Sequence, residues 1–255
     1  MQANVVLTVS ESKRLIAKGV AALDCVKRAL QKGIVVISTG TTNAYVVEEV
    51  LGKTIEKPAY VTGRTTPAKV RQSDYFPRER LRDVVLRDGE IVEELDRYSG
   101  AKELKAGDVF IKGANALNYD RKIAGVTIGG PGTGGTVGAV MGPIISRRAK
   151  LVLPVGLEKL IAHDILEILN VLSEGDELAN HVPTLYPVTG TIVTEIEALE
   201  TLFPGLQVLH VASGGVLGAE ASVRLLLCGD GEVVTEALKL VESIQGEPPF
   251  LPMAQ

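Results

Sequence analysis

The chain has 255 residues and a formal net charge of −4; 45% of its residues are hydrophobic, 4% are aromatic, and tryptophan is absent. That length suits one large domain or two smaller ones, and an aliphatic mixture with 27 glycines is that of a parallel α/β protein. The acidic balance argues against an extended nucleic-acid surface.

No apolar run reaches membrane-spanning length, and the opening MQANVVLTVSESKR lacks the charged-then-apolar pattern of a signal peptide. The chain therefore reads as soluble and cytoplasmic, with no membrane partner. Cys25 and Cys228 lie in apolar periodic segments and read as buried reduced thiols; no spacing suggests a metal site.

Residues 5–9 predict a short strand. Ser10 or Ser12 then caps a helix whose apolar stripe holds Leu15, Ile16, Val20, Ala21, Leu23 and Val26, with Gly19 as a point of interruption. The stretch GIVVISTGTTNAYVVEEVLG, residues 33–52, is the one around which the rest of the chain is organised. Residues 34–38 are a β-branched buried strand, Thr39-Gly40-Thr41-Thr42-Asn43 is a polar turn, and residues 44–51 have helical spacing that Gly52 stops. Gly40 lets a ligand approach the backbone, unpaired N–H groups of the first helical turn point outward, and the threonine hydroxyls add donors. Together they make an anion site. The same turn also reads as an ordinary connection with Thr42 or Asn43 as N-cap.

Residues 60–62 predict a second strand. Beyond it, Arg64 is placed to hold an anion or to pair with a neighbouring carboxylate. Residues 67–82, charged and carrying Pro67 and Pro77, read as an exposed segment or a lid. Residues 84–92 predict a hairpin with a type I′ turn at Asp88-Gly89. Residues 108–113 predict a buried strand with Lys112 at its carboxyl end, followed by a polar loop holding Asn115, Asn118 and Asp120. Ligands of open α/β sheets sit at such ends, although Asn and Asp also simply stabilise turns.

The run GGPGTGGTVG, residues 129–138, is neither a Walker loop nor a dinucleotide fingerprint. Gly132, Thr133, Gly134, Gly135 and Thr136 still offer amide and hydroxyl donors to an anion ahead of a helix over 137–148. Residues 151–155 predict a strand, and Gly156 opens a helix carrying Glu158, Lys159 and His163. The histidines at 163, 181 and 210 share no motif.

Residues 174–190 are polar and broken by Pro183, Pro187 and Gly190, which sets a boundary. Residues 1–187 are expected to form a ligand-binding α/β domain on an open, mostly parallel Rossmann-like sheet. Residues 188–255 are expected to form a ferredoxin-like α+β domain. It would use strands at 191–194, 206–211 and 221–228, helices at 195–203 and 233–244, and a last strand near Phe250.

The turn Ser38-Thr39-Gly40-Thr41-Thr42, with the helix over 13–22 before it, resembles the helix and G-x-G-T-G-S-T phosphate turn of ribose-5-phosphate isomerase A. Residues 108–122 resemble the strand and loop that carry that family's catalytic carboxylates. The first part of the chain is thus similar to the superfamily of ribose-5-phosphate isomerase, glucosamine-6-phosphate deaminase, coenzyme A transferases and the initiation-factor-2B-like isomerases. The isomerase's ferredoxin-like appendage fits residues 188–255. Where family isomerases carry D-G-A-D, this chain has Lys112-Gly113-Ala114-Asn115, so both carboxylates are missing. Aligned instead with the family's K-G-G-G-A-A-L motif, Lys112 matches a lysine, and no carboxylate motif precedes it. The glutamate context of coenzyme A transferases is absent as well.

Two classes of function are compatible with these residues. In the first, Thr39, Gly40, Thr41, Thr42, Asn43, Arg64, Asn115 and the run Gly132 to Thr136 hold the anionic group of a small phosphorylated or CoA-like metabolite. Lys112 stabilises developing negative charge, and Asp120 or Glu158 moves protons. This would be a divergent sugar-phosphate isomerase-like or transferase-like enzyme without a cofactor. In the second, a non-catalytic ligand-binding or regulatory protein uses the same scaffold. Either is compatible with a homo-oligomer. A cleft shared by Lys112, Asp120 and Glu158 would favour chemistry; outward-facing carboxylates would favour binding alone.

Overall fold

The computed structural model describes residues 1–71, 75–129, 132–175 and 177–251. Gly130 and Pro131 of the glycine run, residues 72–74 of the expected lid, and Pro252 beyond Phe250 lie outside the described residues.

The chain opens with β1 (Gln2–Leu7), α1 (Val9–Ala22), α2 (Asp24–Gln31), β2 (Ile34–Ile37) and α3 (Thr41–Leu51). Thr8, not Ser10 or Ser12, caps α1: Thr8 N–H donates to Glu11 Oε2 at 2.7 Å, and Glu11 N–H reaches back to Thr8 Oγ1. The break between α1 and α2 falls at Leu23 rather than at Gly19. Gly19 serves packing instead, since a Cβ there would lie 2.5 Å from Ala198 Cα.

The segment over 60–62 is not a strand. A 3-10 turn spans Lys57–Tyr60, opened by Pro58. The edge of β2 that such a strand would need is taken by β3 (Val84–Arg87), which pairs with β4 (Glu90–Ile91) across the expected turn. Asp88 and Gly89 have φ of 51° and 86°, as type I′ geometry requires.

Next come α4 (Arg97–Glu103), β5 (Val109–Ile111), β6 (Ala116–Asn118), β7 (Ile123–Ile128), α5 (Gly135–Ser146) and β8 (Lys150–Pro154). The helix expected to carry His163 is instead a short 3-10 turn, Leu157–Lys159, followed by α6 (Ile165–Glu174), whose N-cap is Asp164. The chain closes with β9 (Thr184–Val188), β10 (Thr191–Val193), α7 (Glu195–Leu202), β11 (Gln207–Ser213), β12 (Val223–Cys228) and α8 (Gly231–Ile244). Phe250 lies in a bend rather than a strand and packs against the core. Among the described residues this makes eight helices and three sheets, and no helix is long and apolar enough to cross a membrane.

The central sheet has the order β10-β8-β5-β2-β3-β4; its first four strands are parallel, β3 runs antiparallel to them, and β4 returns antiparallel to β3. Both faces are buried, which explains the unbroken aliphatic runs. Val35 and Ile37 enter one core with α1, while Ile34 and Val36 enter the other with α5. Phe110 joins the second pair, and Val109 and Ile111 the first. Register aligns Ile37 with Ile111 and Ile111 with Val152, so the chain leaves β2 and β5 at the same level.

Two features of the topology bear on the site. β7, which ends at Ile128 and leads into the glycine run, lies outside the parallel sheet as the middle of a separate antiparallel sheet, β6-β7-β9. Near the C-terminus, β11 and β12 are antiparallel neighbours as expected, but their third strand is β1 from the opposite end of the chain. β10 joins β8 in the central sheet, so strands from both sides of residues 187 and 188 share sheets. One hydrophobic cluster includes Val5, Val35, Val193 and Val234.

Candidate functional site

At the carboxyl ends of β2 and β5 the sheet opens into a cavity of about 560 Å³. Three turns reach it. After β2, Ser38 N–H and its hydroxyl both donate to Ile111 O at 3.1 Å, which locks the two strand ends together. The chain then enters α3 through Gly40, whose φ of 169° is ordinary extended backbone, and no side chain caps the helix. The first-turn N–H groups of α3 thus keep their donor capacity beside the cavity. Thr39, Gly40, Thr41 and Thr42 line this side.

After β5, Lys112 Nζ donates to Gly113 O at 3.0 Å. Lys159, from the turn after β8, crosses to Ala114 O at 2.9 Å. Asn115 faces the cavity and also receives Thr127 N–H on its Oδ1 at 3.0 Å, holding β7 in register with the loop. The third turn, after β7, brings Gly129, Thr133, Gly135 and Thr136 to the opposite wall. It arrives from the antiparallel sheet, so a glycine-rich loop outside the parallel sheet still reaches the same cavity.

Arg97 links these walls. It is 9% exposed at the start of α4. Its Nη2 donates to Thr39 Oγ1 at 2.5 Å, its Nη1 to Thr136 Oγ1 at 3.0 Å, and its Nε to Asp83 Oδ2 at 2.7 Å. Asp83 also accepts Thr39 N–H at 2.8 Å. Arg64 lines the cavity too, with its guanidinium 3.8 Å from the Phe76 ring centroid and its Nε buried without a hydrogen-bond partner among the described residues.

Charge in the cavity is therefore lopsided. Asp83 is held by Arg97, and among the described residues no carboxylate pairs with Lys112 or Lys159. Burial, helped by the positive charges of Arg97 and Lys159 and opposed by Asp83, pushes the Lys112 ammonium down to about 8. An anion placed here would relieve that cost directly.

Other expected site residues lie elsewhere. Asn43 is fully buried; its amide donates to Ser38 O at 2.7 Å and Ile111 O at 3.2 Å, so it braces the strand ends. Gly134 takes φ of 77° as the N-cap of α5 and faces the Tyr186 ring, and Gly132 does not line the cavity. Asp120 is exposed and lines a different cavity with Asn118 and Arg121. Glu158 does not line the cavity with Lys112 either; its Oε2 is buried close against Gly156, without a hydrogen-bond partner among the described residues.

Glu158 instead belongs to a buried group behind the sheet edge. Glu195 Oε2 accepts Leu157 N–H at 2.9 Å, and among the described residues its Oε1 has no hydrogen-bond partner. Burial, with the charge of Glu158, pushes the Glu195 carboxyl up to about 7. Lys13, buried beside them, is pushed down to about 8 by burial and by Lys159.

Sequence reasoning missed Arg97, Asp83 and Thr62, whose hydroxyl meets Thr39 Oγ1 at 2.9 Å. One signal for Arg97 was present. A cation in the first turn of a helix opposes the dipole, and such a placement needs a compensating partner such as Asp83. No family model matches this chain, and no curated protein or solved structure matches it; its chemistry rests on the geometry of the cavity.

Proposed function

We propose that this protein binds a small phosphorylated or CoA-like metabolite at the carboxyl edge of its central sheet, with the anionic group held between α3, Lys112 and the Thr133–Thr136 turn. The observation that carries the reading is the convergence of Arg97, Lys112 and Lys159 on one cavity whose neighbouring carboxylate, Asp83, is already engaged. Uncapped first-turn amides of α3 and the hydroxyls of Thr39, Thr41 and Thr136 supply the neutral donors that such an anion needs. A volume of about 560 Å³ suits a metabolite of ordinary size.

The reading extends to kinship. The turn after β2 and the strand-to-loop passage at Lys112 support a divergent member of the ribose-5-phosphate isomerase and coenzyme A transferase superfamily. That would make the central sheet Rossmann-like and the α7-to-α8 region ferredoxin-like. The positions of Asp120 and Glu158 outside the cavity weigh toward binding over isomerase-type proton transfer.

The test is a thermal-shift and calorimetric screen of inorganic phosphate, sugar phosphates, nucleotides and acyl-CoAs, since a ligand bound only by the native state raises its apparent stability. Lys112→Ala is expected to weaken the best ligand by about 1.5–3 kcal/mol, the worth of a hydrogen bond to a charged group. Gly129→Val is expected to obstruct the cavity without disturbing the fold, because a Cβ there meets nothing within 4 Å. Unchanged affinity in both variants would move the site elsewhere.

A further inference from the structure

We propose that Lys112 is a nucleophile that forms an imine with a phosphorylated aldehyde or ketone bound in the cavity. The inference rests on the proposed anion binding and adds a covalent step to it. Three features of Lys112 set it apart from a lysine that serves only as a charge. Its Nζ has a backbone carbonyl, Gly113 O at 3.0 Å, as its hydrogen-bond partner, and among the described residues no carboxylate pairs with it. It shares the cavity with three other cations, Arg64, Arg97 and Lys159, of which Arg97 and Lys159 bear on its charge. Its surroundings also press it toward the neutral amine, down to about 8, through burial first and those two positive charges next. Desolvation and neighbouring positive charge are the two devices that make a lysine nucleophilic near neutral pH.

The arrangement divides the work. Arg97 is committed to Asp83 and to the two threonine hydroxyls that fix the walls, and Lys159 is anchored on Ala114 O. The donors of Thr41 and Thr42 and those of the Thr133–Thr136 turn are left for the phosphate. Lys112, at the level where β5 ends beside β2, then faces the remainder of the ligand. The step balances without an oxidant or a further reactant. The neutral amine nitrogen attacks the carbonyl carbon, the carbon–oxygen bond breaks, the two amine hydrogens leave with that oxygen as water, and a carbon–nitrogen double bond forms. A neighbouring cation, Lys159 or Arg97, stabilises the oxygen while it carries negative charge.

The experiment uses the full chain and pyridoxal 5′-phosphate as probe. Protein and probe are mixed near equimolar ratio, reduced with borohydride, and analysed by intact mass and peptide mapping. Parallel samples use pyridoxal, which lacks the phosphate, and pyridoxal 5′-phosphate with excess inorganic phosphate. The expected result is one reduced adduct on Lys112, formed at least tenfold faster than with pyridoxal and suppressed by inorganic phosphate. Lys112→Arg abolishes it, while Lys53→Arg, at an exposed position away from the cavity, leaves it unchanged. Mapping on the unmodified sequence assigns the site even if Lys112→Arg folds poorly. An adduct on Lys159, or one spread over surface lysines, overturns the assignment. A phosphate-dependent thermal shift with no adduct overturns the imine and leaves anion binding standing. The absence of both overturns the two together.

Discussion

Arg97 Nε meets Asp83 Oδ2 at 2.7 Å, and this pair fixes the distance between two walls of the cavity. Asp83 takes Thr39 N–H with its other oxygen, while Arg97 holds Thr39 and Thr136 through its two terminal nitrogens. Four segments far apart in sequence are thus joined at one guanidinium that is 9% exposed. Removing one partner leaves a charge buried and unpaired. Asp83→Ala is therefore expected to lower unfolding stability by about 3–5 kcal/mol, measured by urea denaturation. A loss under about 1 kcal/mol, the range of exposed pairs, would show that water satisfies Arg97.

Gly40 gives a variant that separates stability from binding. Its backbone is extended, and a Cβ there would approach nothing closer than Asn43 Cβ at 3.8 Å. Gly40→Asp supplies α3 with the side-chain cap it lacks and puts a carboxylate where the ligand's anion would sit. The melting temperature is expected to hold or rise, since Asp exceeds Gly as an N-cap by a few tenths of a kcal/mol. Phosphate affinity is expected to fall at least tenfold by calorimetry. Retained affinity would take the turn after β2 out of the site.

The pH dependence of anion binding is set by Lys112. The anion prefers the ammonium form, which the free protein loses as pH rises through about 8. Affinity should therefore be flat from the phosphate's second ionisation, at about pH 6, up to that value and decline above it, approaching tenfold per pH unit. The ligand holds the proton on, so binding above pH 8 takes up protons from the buffer, which calorimetry in two buffers of different ionisation enthalpy detects. Lys112→Met should bind more weakly and lose this inflection. An inflection that survives in Lys112→Met would belong to another group.

Glu195 makes the opposite kind of contribution, to stability. Its carboxyl titrates near 4.5 when unfolded and near 7 when folded, because burial and Glu158 disfavour its charge. Between those values the folded state holds the extra proton, so this group makes stability fall as pH rises, with the loss complete above about 7. The full cost is of order 3 kcal/mol. Glu195→Gln keeps an acceptor for Leu157 N–H and removes the charge. It should match the parent at pH 4.5 and exceed it at pH 8 in chemical denaturation. Equal stability at pH 8 would mean that Glu195 ionises at little cost.

The parts of this protein legible in its sequence are those that one short segment decides. β2, β5 and β8 were readable because a run of aliphatic residues with no polar alternation has to be buried on both faces. The Asp88-Gly89 turn was readable because few other residue pairs tolerate positive φ twice in succession. The turn from Thr39 to Thr42 was readable because a strand, a glycine and a helix start make donors wherever they occur. Lys112 was placed by the same rule, at the end of β5, whereas Arg64 was placed at the end of a strand over 60–62 that does not form.

Tertiary structure decided what depends on which segments meet. Residues 60–62 look like a strand in isolation, but β3 already occupies the free edge of β2, so the chain there turns instead. Thr191–Val193 and Gln2–Leu7 are both short strands. One joins β8 and the other β12, partners far away in the chain that no local pattern encodes. Asp120 was one loop away from Lys112 in sequence, yet the β6–β7 pairing carries it to a different cavity. Arg97 shows the converse: its role exists only because Asp83, Thr39 and Thr136 come within hydrogen-bond reach of one guanidinium. Propensity and periodicity act over a few residues, whereas a site is made by contacts between residues far apart in the chain, and those are set only when the cores close.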